Sequence, residues 1–311
     1  MPLLAFACGI CLLAGCGGSN DEGAPLTPEP APAVVLTAEE KAVWAPLPPD
    51  RSVIPVLVYH GIGPQSAFSD ADDAAYGVEA DDFAKQMTMI EHAGYRTIDL
   101  QTFLGFVGGA PIELPPRPLL LTFDDARTDS WTGSDSILHE LGFNAVLFVD
   151  VGRVDDADPE YLSWQELEDV GSSGRWDIQL HSGRGHQLIE YGPGLYGPSY
   201  AYEQGDESFE QWQDRVRSDI EWGQDTLADH VAAYQPLAFA PPYGSYGQEG
   251  TNDPRIPEDL LGWLTQRYDA VFTQDRDARA RSGSEQPLGR IEVTRGVSGG
   301  ELHAKLLSGG S

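Results

Sequence analysis

The chain has 311 residues, and its 49 acidic and 19 basic side chains give a formal net charge of −30 at pH 7. This length accommodates one large α/β domain and a tail, and a core of that size folds without disulfides or a structural metal. Nucleic acid is excluded as a partner, because binding phosphates requires a basic face. All three cysteines lie within the first 16 residues, so any metal site elsewhere uses histidine and carboxylate ligands.

Residues 3–13 form an apolar run that leads into the sequence LAGC at 13–16. The run is too short to cross a bilayer and is typical of a signal peptide. Its ending resembles the lipobox of bacterial lipoproteins, which implies that cleavage leaves Cys16 as a lipidated N-terminus. We therefore expect a lipoprotein signal peptide over residues 1–16 and a lipid-anchored, extracytoplasmic protein at the outer membrane or cell surface. An ordinary signal peptide with an incidental cysteine is the alternative.

A tether is predicted between this signal and the domain. Residues 17–50 are rich in Gly, Pro, Ala and acidic side chains, and they contain too little apolar surface to pack. We expect this segment to be disordered and the folded domain to cover residues 51–307.

Apolar runs of strand length alternate with amphipathic helical segments along the domain. The predicted strands are, in chain order, 53–59, 119–123, 145–149, 178–180, 237–240, 270–273 and 291–293. Helices are predicted over residues 80–93 and 209–227, and a further helix follows the strand 119–123 and ends at residue 141. Wholly apolar strands are typical of a parallel sheet that is buried on both faces. The sequence thus predicts an α/β fold, and about seven strands favour a barrel over an open sheet.

One long segment, residues 187–205, shows neither the helical nor the strand periodicity of apolar residues. It is rich in Gly and Tyr. Long loops are usually functional or disordered, and its tyrosines favour a loop that contacts ligand.

Polar residues follow two of the predicted strands at the carboxyl end, where active sites lie in parallel α/β barrels. Asp124 and Asp125 follow the second predicted strand; adjacent carboxylates there either serve chemistry or cap the next helix. His181 and His186 follow the fourth strand, in a glycine-containing loop that can fold both imidazoles toward one point. A solvated loop is the alternative. Two histidines and a carboxylate form a plausible catalytic site for zinc or a similar divalent ion.

A third strand end carries the sequence FAPPYG at residues 239–244. Its prolines fix the backbone, so the amide of Tyr243 can point at a developing oxyanion. Pro and Gly also make plain turns, which is the alternative.

Taken together, PVLVYHGI, LLLTFDDA, HSGRGH, FAPPYG and DAVFTQD, at these separations, resemble the polysaccharide deacetylases of carbohydrate esterase family 4 over about residues 51–307. The resemblance implies a single-domain, distorted (β/α) barrel with about seven parallel strands, a divalent metal such as zinc, and removal of acetyl groups from sugars. It implies that Asp125, His181 and His186 bind the metal. Asp124 would be the general base, and the amide in the PPYG turn would help to hold the oxyanion.

Departures from the family pattern shape the remaining assignments. The spacing within HSGRGH resembles the branch that deacetylates β-1,6-linked poly-N-acetylglucosamine, and Ala126 stands where most relatives have Gly. The usual Arg before the PPY turn is Ala240, so Arg295, near another strand end, is the predicted residue that orients the base. The usual late Leu-x-His is not evident either. His60, directly after the first strand, is therefore the predicted general acid, and a structural histidine is the alternative.

We therefore expect a metal-dependent hydrolase that removes acetyl groups from an N-acetylated polysaccharide of N-acetylglucosamine type outside the cytoplasm. Its expected partners are the acetylated polysaccharide or oligosaccharide and the membrane, through the lipid on Cys16. A glycan-binding lipoprotein without turnover and an O-acetyl carbohydrate esterase are the alternatives. A retaining glycosidase is disfavoured, because neighbouring carboxylates such as Asp124 and Asp125 do not straddle a sugar.

Overall fold

The computed structural model describes residues 26–68 and 71–309, with the backbone alone at residues 72 and 73. The strands are β1 Ile54–Tyr59, β2 Arg96–Thr97, β3 Pro118–Phe123, β4 Ala145–Asp150, β5 Trp176–Ser182, β6 Leu188–Gly192, β7 Leu195–Pro198, β8 Ala238–Phe239, β9 Ala270–Thr273, β10 Arg279–Ala280, β11 Leu288–Gly289 and β12 Ile291–Glu292. The helices are α1 Ala38–Val43, α2 Ala71–Tyr76, α3 Ala80–His92, α4 Leu100–Val107, α5 Thr128–Thr132, α6 Asp135–Leu141, α7 Val151–Asp155, α8 Trp164–Ser172, α9 Phe209–His230, α10 Ile256–Leu264 and α11 Gly299–Ser308. Within these described ranges, none of the helices has the length and apolarity needed to cross a membrane.

Ten of the strands form one mostly parallel sheet that curls into a nearly closed barrel. Their order is β10-β1-β3-β4-β5-β8-β9-β11, with β12 added to β1 and β2 added to β3. The short β10 runs antiparallel to β1, and β1 lies parallel to β3 with Val56 opposite Leu120 and Tyr59 opposite Phe123. The predicted single-domain (β/α) barrel is confirmed.

Both faces of the barrel strands are buried, which explains their continuous apolar sequences. In β1, Val56 belongs to the cluster inside the barrel, whereas Leu57 belongs to the cluster between the barrel and the surrounding helices. Helix α4 contributes Phe103 and Phe106 to the inner cluster. The barrel interior is therefore a packed core rather than a channel.

Local sequence signals explain where the main helices begin and end. Gly142 ends α6 with φ of 65°, in the left-handed region that glycine adopts without strain. The long α9 begins at a capping box formed by Ser208 and Gln211, and it buries Trp212 and Val216 on one face. This helix passes beside the loop that follows β5.

The described part of the predicted tether is ordered, so the prediction of a disordered segment up to residue 50 is wrong for residues 26–50. Helix α1 begins at Thr37 in a capping box, and the nearby Leu36 and Trp44 are buried at 7% and 1% exposure. The Trp44 ring faces His303 of α11, with ring centroids 4.7 Å apart. The buried side chains of Leu36 and Trp44 thus hold this Pro-rich segment against the barrel domain. The predicted signal peptide, residues 1–16, lies outside the described residues.

The segment 187–205 contains an antiparallel hairpin, β6 with β7, rather than an aperiodic loop. Ile189 is buried beneath it, whereas Leu188 and Tyr196 are exposed at 54% and 61%. The hairpin follows His186 directly, so it lies beside the candidate site.

Candidate functional site

Polar side chains from three parts of the barrel meet at the carboxyl end of the parallel strands. Asp124 and Asp125 follow β3 directly, and His181 lies near the end of β5, which leads into the loop with His186. A single residue, Arg290, separates β11 from β12. Because parallel strands that are neighbours end at the same edge of a sheet, these segments converge.

Arg290 and Asp124 form a buried ion pair. Nη1 and Nη2 of Arg290 donate to Oδ1 and Oδ2 of Asp124 at 2.7 and 2.8 Å, and the two side chains are 0% and 1% exposed. Burial alone would raise the pKa of Asp124, but the attraction of the guanidinium outweighs it and lowers this pKa to about 2. The carboxylate is thereby kept ionised with both oxygens oriented.

The prediction that Arg295 orients the base is wrong. Its guanidinium pairs with Glu79, and its Nε donates to the carbonyl of Ala74 at 2.9 Å. The backbone of Arg295 is also tied to the α2 segment, because its amide donates to the carbonyl of Ala75. These contacts hold Arg295 against the segment that follows β1. The guanidinium that contacts Asp124 belongs instead to Arg290, between β11 and β12.

Asp125, His181 and His186 form a group that fits a divalent metal. One ligand atom from each lies within 4.8 Å of the others. Nε2 of His181 and Nε2 of His186 lie 3.5 and 3.3 Å from Oδ1 of Asp125. Two imidazole nitrogens and one carboxylate oxygen are ligands that zinc and similar ions accept, with positions left open for water and substrate.

A backbone contact orients His181 for this purpose. Its Nδ1 donates to the carbonyl of Ala240 at 2.6 Å, which leaves the lone pair of Nε2 directed at the group. Burial lowers the pKa of His181 to about 3, so the imidazole is neutral. A neutral imidazole with a fixed tautomer is the form that binds a metal.

The turn after β3 has an unusual backbone. Asp125 and Ala126 both have positive φ, 76° and 61°, and Tyr243 in the PPYG turn has φ of 59°. Side chains other than glycine carry about 1 to 2 kcal/mol of strain in this region. Such strain concentrates at functional sites, where the surrounding structure holds it in place. A glycine would adopt the left-handed backbone of Ala126 without this strain.

His60 and Tyr243 lie at the edge of the group. An electrostatic interaction with His60 is among the smaller influences that lower the pKa of Asp124, so this side chain lies near that carboxylate. Nδ1 of His60 is buried and has no hydrogen-bond partner within residues 26–68 and 71–309. The ring of Tyr243 lies against His186, with centroids 4.8 Å apart, and remains 47% exposed.

Sequence reasoning missed Asp150 as well as Arg290. Asp150 ends β4, is 4% exposed and accepts a hydrogen bond from Oγ of Ser182 at 3.0 Å. Burial raises its pKa to about 6, and the neighbouring Asp125 carboxylate acts in the same direction. The available signal was its position: a charged residue at the end of a wholly apolar strand, as for Asp124.

The fold and the site define an α/β-barrel protein with a candidate divalent-metal centre beside an ionised, buried carboxylate. Residues 112–253 match the polysaccharide deacetylase family. This match covers less than half of the chain.

Several solved structures share this fold. The de-N-acetylase from Aggregatibacter actinomycetemcomitans is 17% identical, with 81% of this chain and 99% of that chain covered and a TM-score of 0.69. IcaB from Ammonifex degensii is 23% identical, with 82% and 97% covered and a TM-score of 0.64. The BpsB deacetylase domain from Bordetella bronchiseptica is 20% identical, with 80% and 98% covered and a TM-score of 0.63. No curated protein sequence matches the chain.

Proposed function

We propose that this protein is a metal-dependent hydrolase that removes acetyl groups from an N-acetylated polysaccharide of N-acetylglucosamine type outside the cytoplasm. The observation that carries the proposal is the convergence of Asp125, His181 and His186 beside the ionised Asp124. A structural metal site needs no oriented carboxylate next to it, whereas hydrolysis needs a base there.

In this proposal Asp125, His181 and His186 hold the cation. A divalent ion such as zinc supplies a Lewis acid for the acetyl carbonyl and lowers the pKa of water in the site. Asp124 takes the proton from the attacking water, and Arg290 keeps its carboxylate oriented and ionised.

The remaining roles belong to groups at the edge of the site. The backbone amide of Tyr243 donates to the oxyanion that develops on the acetyl oxygen. His60 returns a proton to the leaving amine, a role that suits an imidazole close to the base. The half-exposed ring of Tyr243 offers a flat surface for a sugar.

The substrate class is supported by the solved structures, one of which is a de-N-acetylase. Ala240 provides no guanidinium before the PPY turn, and this absence would suit a glycan-binding protein without turnover. Arg290, between β11 and β12, places a guanidinium on Asp124 instead, which supports an enzyme. An O-acetyl esterase would use the same groups, so an assay with both N-acetylated and O-acetylated sugars is needed to distinguish the two activities.

We also propose that Cys16 carries the lipid that anchors the protein to the membrane. The amide of Glu29 donates to the carbonyl of Thr132, in the helix that follows the Asp124 turn. Residues 17–28 would then connect the anchor to the edge of the barrel that bears the site. Radiolabelled palmitate that is incorporated into the wild type and not into Cys16→Ala tests this proposal.

The activity is tested with the mature protein loaded with zinc and incubated with N-acetylated and O-acetylated oligosaccharides. Released acetate is measured for the wild type, Asp124→Asn and His60→Gln. We expect turnover of the N-acetylated substrates and a loss of about 10²-fold to 10⁴-fold in each variant, the usual contribution of a general base or acid.

The assay distinguishes the alternatives. Acetate from O-acetylated sugars alone would replace the amidase with an esterase. No acetate from any substrate, although zinc and glycan bind, would support the binding protein. Zinc binding is measured separately for each variant, so that loss of the metal is not mistaken for loss of a proton-transfer group.

A further inference from the structure

One carboxylate holds the loop that joins the two metal-site histidines. Asp219, on α9, accepts a hydrogen bond from the amide of Arg184 at 2.6 Å through Oδ1. Its Oδ2 accepts from the amides of Gly183 and Gly185, both at 3.1 Å, and from the hydroxyl of Tyr200. Three consecutive peptide groups are therefore fixed by a single side chain.

The loop and α9 lie too close together for side chains at the contact. A Cβ on Gly183 would lie 2.2 Å from the carbonyl oxygen of Asp219. A Cβ on Gly223, one turn further along α9, would lie 3.0 Å from Cα of Gly183. Asp219 reaches the amides because glycine occupies both positions.

The opposite side of the loop is held by α7. The amide of Gly152 donates to the carbonyl of Gly183 at 2.7 Å, and the guanidinium of Arg184 pairs with Asp155 and Asp156. The Arg184 pairs are solvent-exposed and therefore weak. Hydrogen bonds from amides to a carboxylate are charge-assisted and stronger, so Asp219 is the principal restraint.

We propose that Asp219 is a positioning residue that sets the metal affinity of the site by fixing the spacing of His181 and His186. This inference rests on the proposed function, since it requires a cation at that group. Without the carboxylate, the loop would sample more conformations, and metal binding would have to order it. Substitutions behind metal ligands typically weaken binding by about 10-fold to 100-fold, and we expect this range for Asp219→Asn.

The test measures the zinc dissociation constant of the full chain by competition with a chromophoric chelator. Asp219→Asn preserves size but turns an NH₂ donor toward the amide donors. Tyr200→Phe leaves the three amide bonds intact and should lose less affinity. Asp214→Asn, an exposed position on the same helix, is the matched control and should keep wild-type affinity. At saturating zinc, Asp219→Asn should recover most of its kcat, because Asp219 does not contact the reacting groups.

One result would overturn the inference: equal zinc affinity in Asp219→Asn and the wild type, whether or not the melting temperature of the metal-free variant falls. If Asp219→Asn does not fold, Asp219→Ser, which also removes the carboxylate, is the deciding variant, and unchanged zinc affinity there overturns the inference. A wild-type protein that binds no zinc would instead contradict the proposed function, so the two failures are distinguishable.

Discussion

The Arg290 side chain meets Asp124 in a place where neither charge is solvated. Both are removed from water, and the two parallel hydrogen bonds compensate for that loss. The guanidinium also lies 5.4 Å from the centre of the Phe148 ring, a favourable cation–π distance. Removing one partner of such a pair costs about 3 to 5 kcal/mol, because the other charge stays buried and unpaired.

Substituting Arg290 should change the pH dependence of activity. The pKa of Asp124 is held at about 2, chiefly by Arg290 acting against burial, so the proposed base is ionised near neutral pH. Arg290→Gln would remove the largest influence that lowers the pKa of Asp124, while burial would still raise it, so this pKa would rise. The proposed base would then take up its proton at a higher pH than in the wild type, and the acid limb of kcat/KM would move to higher pH.

The matched control for this experiment is Arg295→Gln. Arg295 pairs with Glu79, so its loss should leave the acid limb in place. The pH profiles of kcat/KM are compared at a temperature below the melting transition of each variant. A shift of the acid limb in Arg295→Gln, or an unchanged acid limb in Arg290→Gln, would contradict the proposal that Arg290 keeps Asp124 ionised.

Part of the site could be predicted from the sequence, because strand-end position is a local property. Asp125, His181 and His186 each follow a recognisable apolar strand, so their proximity follows from the fold. Their chemical roles stay predictions. Arg290 could not be found in this way, since its partner Asp124 lies 166 residues away and the flanking strands have two residues each.

The long apolar strands were predictable, whereas three of the five two-residue strands were not. Six-residue strands such as β3 and β4 have wholly buried sequences that predict their type. The two-residue strands β2, β10 and β11 have no period, and only their pairing with distant strands defines them. The β6–β7 hairpin was missed because its apolar residues serve a local contact beside the barrel rather than the main core.

The N-terminal segment shows how few residues can order a chain of unfavourable composition. Trp44 is almost fully buried, and residues on both sides of it donate hydrogen bonds to the barrel. Trp44→Ala should destabilise the protein by about 3 to 5 kcal/mol, the usual effect of deleting a buried aromatic side chain. For a domain of this size that is a fall in Tm on the order of 10 °C.

Val43→Ala is the matched control for the Trp44 experiment. Val43 directly precedes Trp44 and also lies in the predicted tether, but it is 47% exposed. Its substitution should change Tm by no more than a degree or two, on the order of 0.5 kcal/mol. Thermal unfolding followed by circular dichroism compares the two variants. Equal Tm values for both would mean that the segment does not stabilise the barrel.

At the scale of the whole molecule, the excess of acidic side chains opposes the compact state. The net charge of −30 leaves many carboxylates without a basic neighbour, and their mutual repulsion is relieved on unfolding. Salt screens this repulsion, because the Debye length falls from about 30 Å at 0.01 M to about 3 Å at 1 M. Salt also weakens the exposed ion pairs, but each of those contributes only about 0 to 1 kcal/mol.

We therefore expect Tm to rise as sodium chloride is increased from 0.01 M to 1 M. Potassium chloride should act equally, because screening depends on ionic strength rather than on the identity of a monovalent cation. Differential scanning calorimetry of the metal-free protein measures the effect without a contribution from metal binding. A Tm that falls with salt would mean that the surface ion pairs, such as Arg267 with Glu221, outweigh the repulsion among unpaired carboxylates.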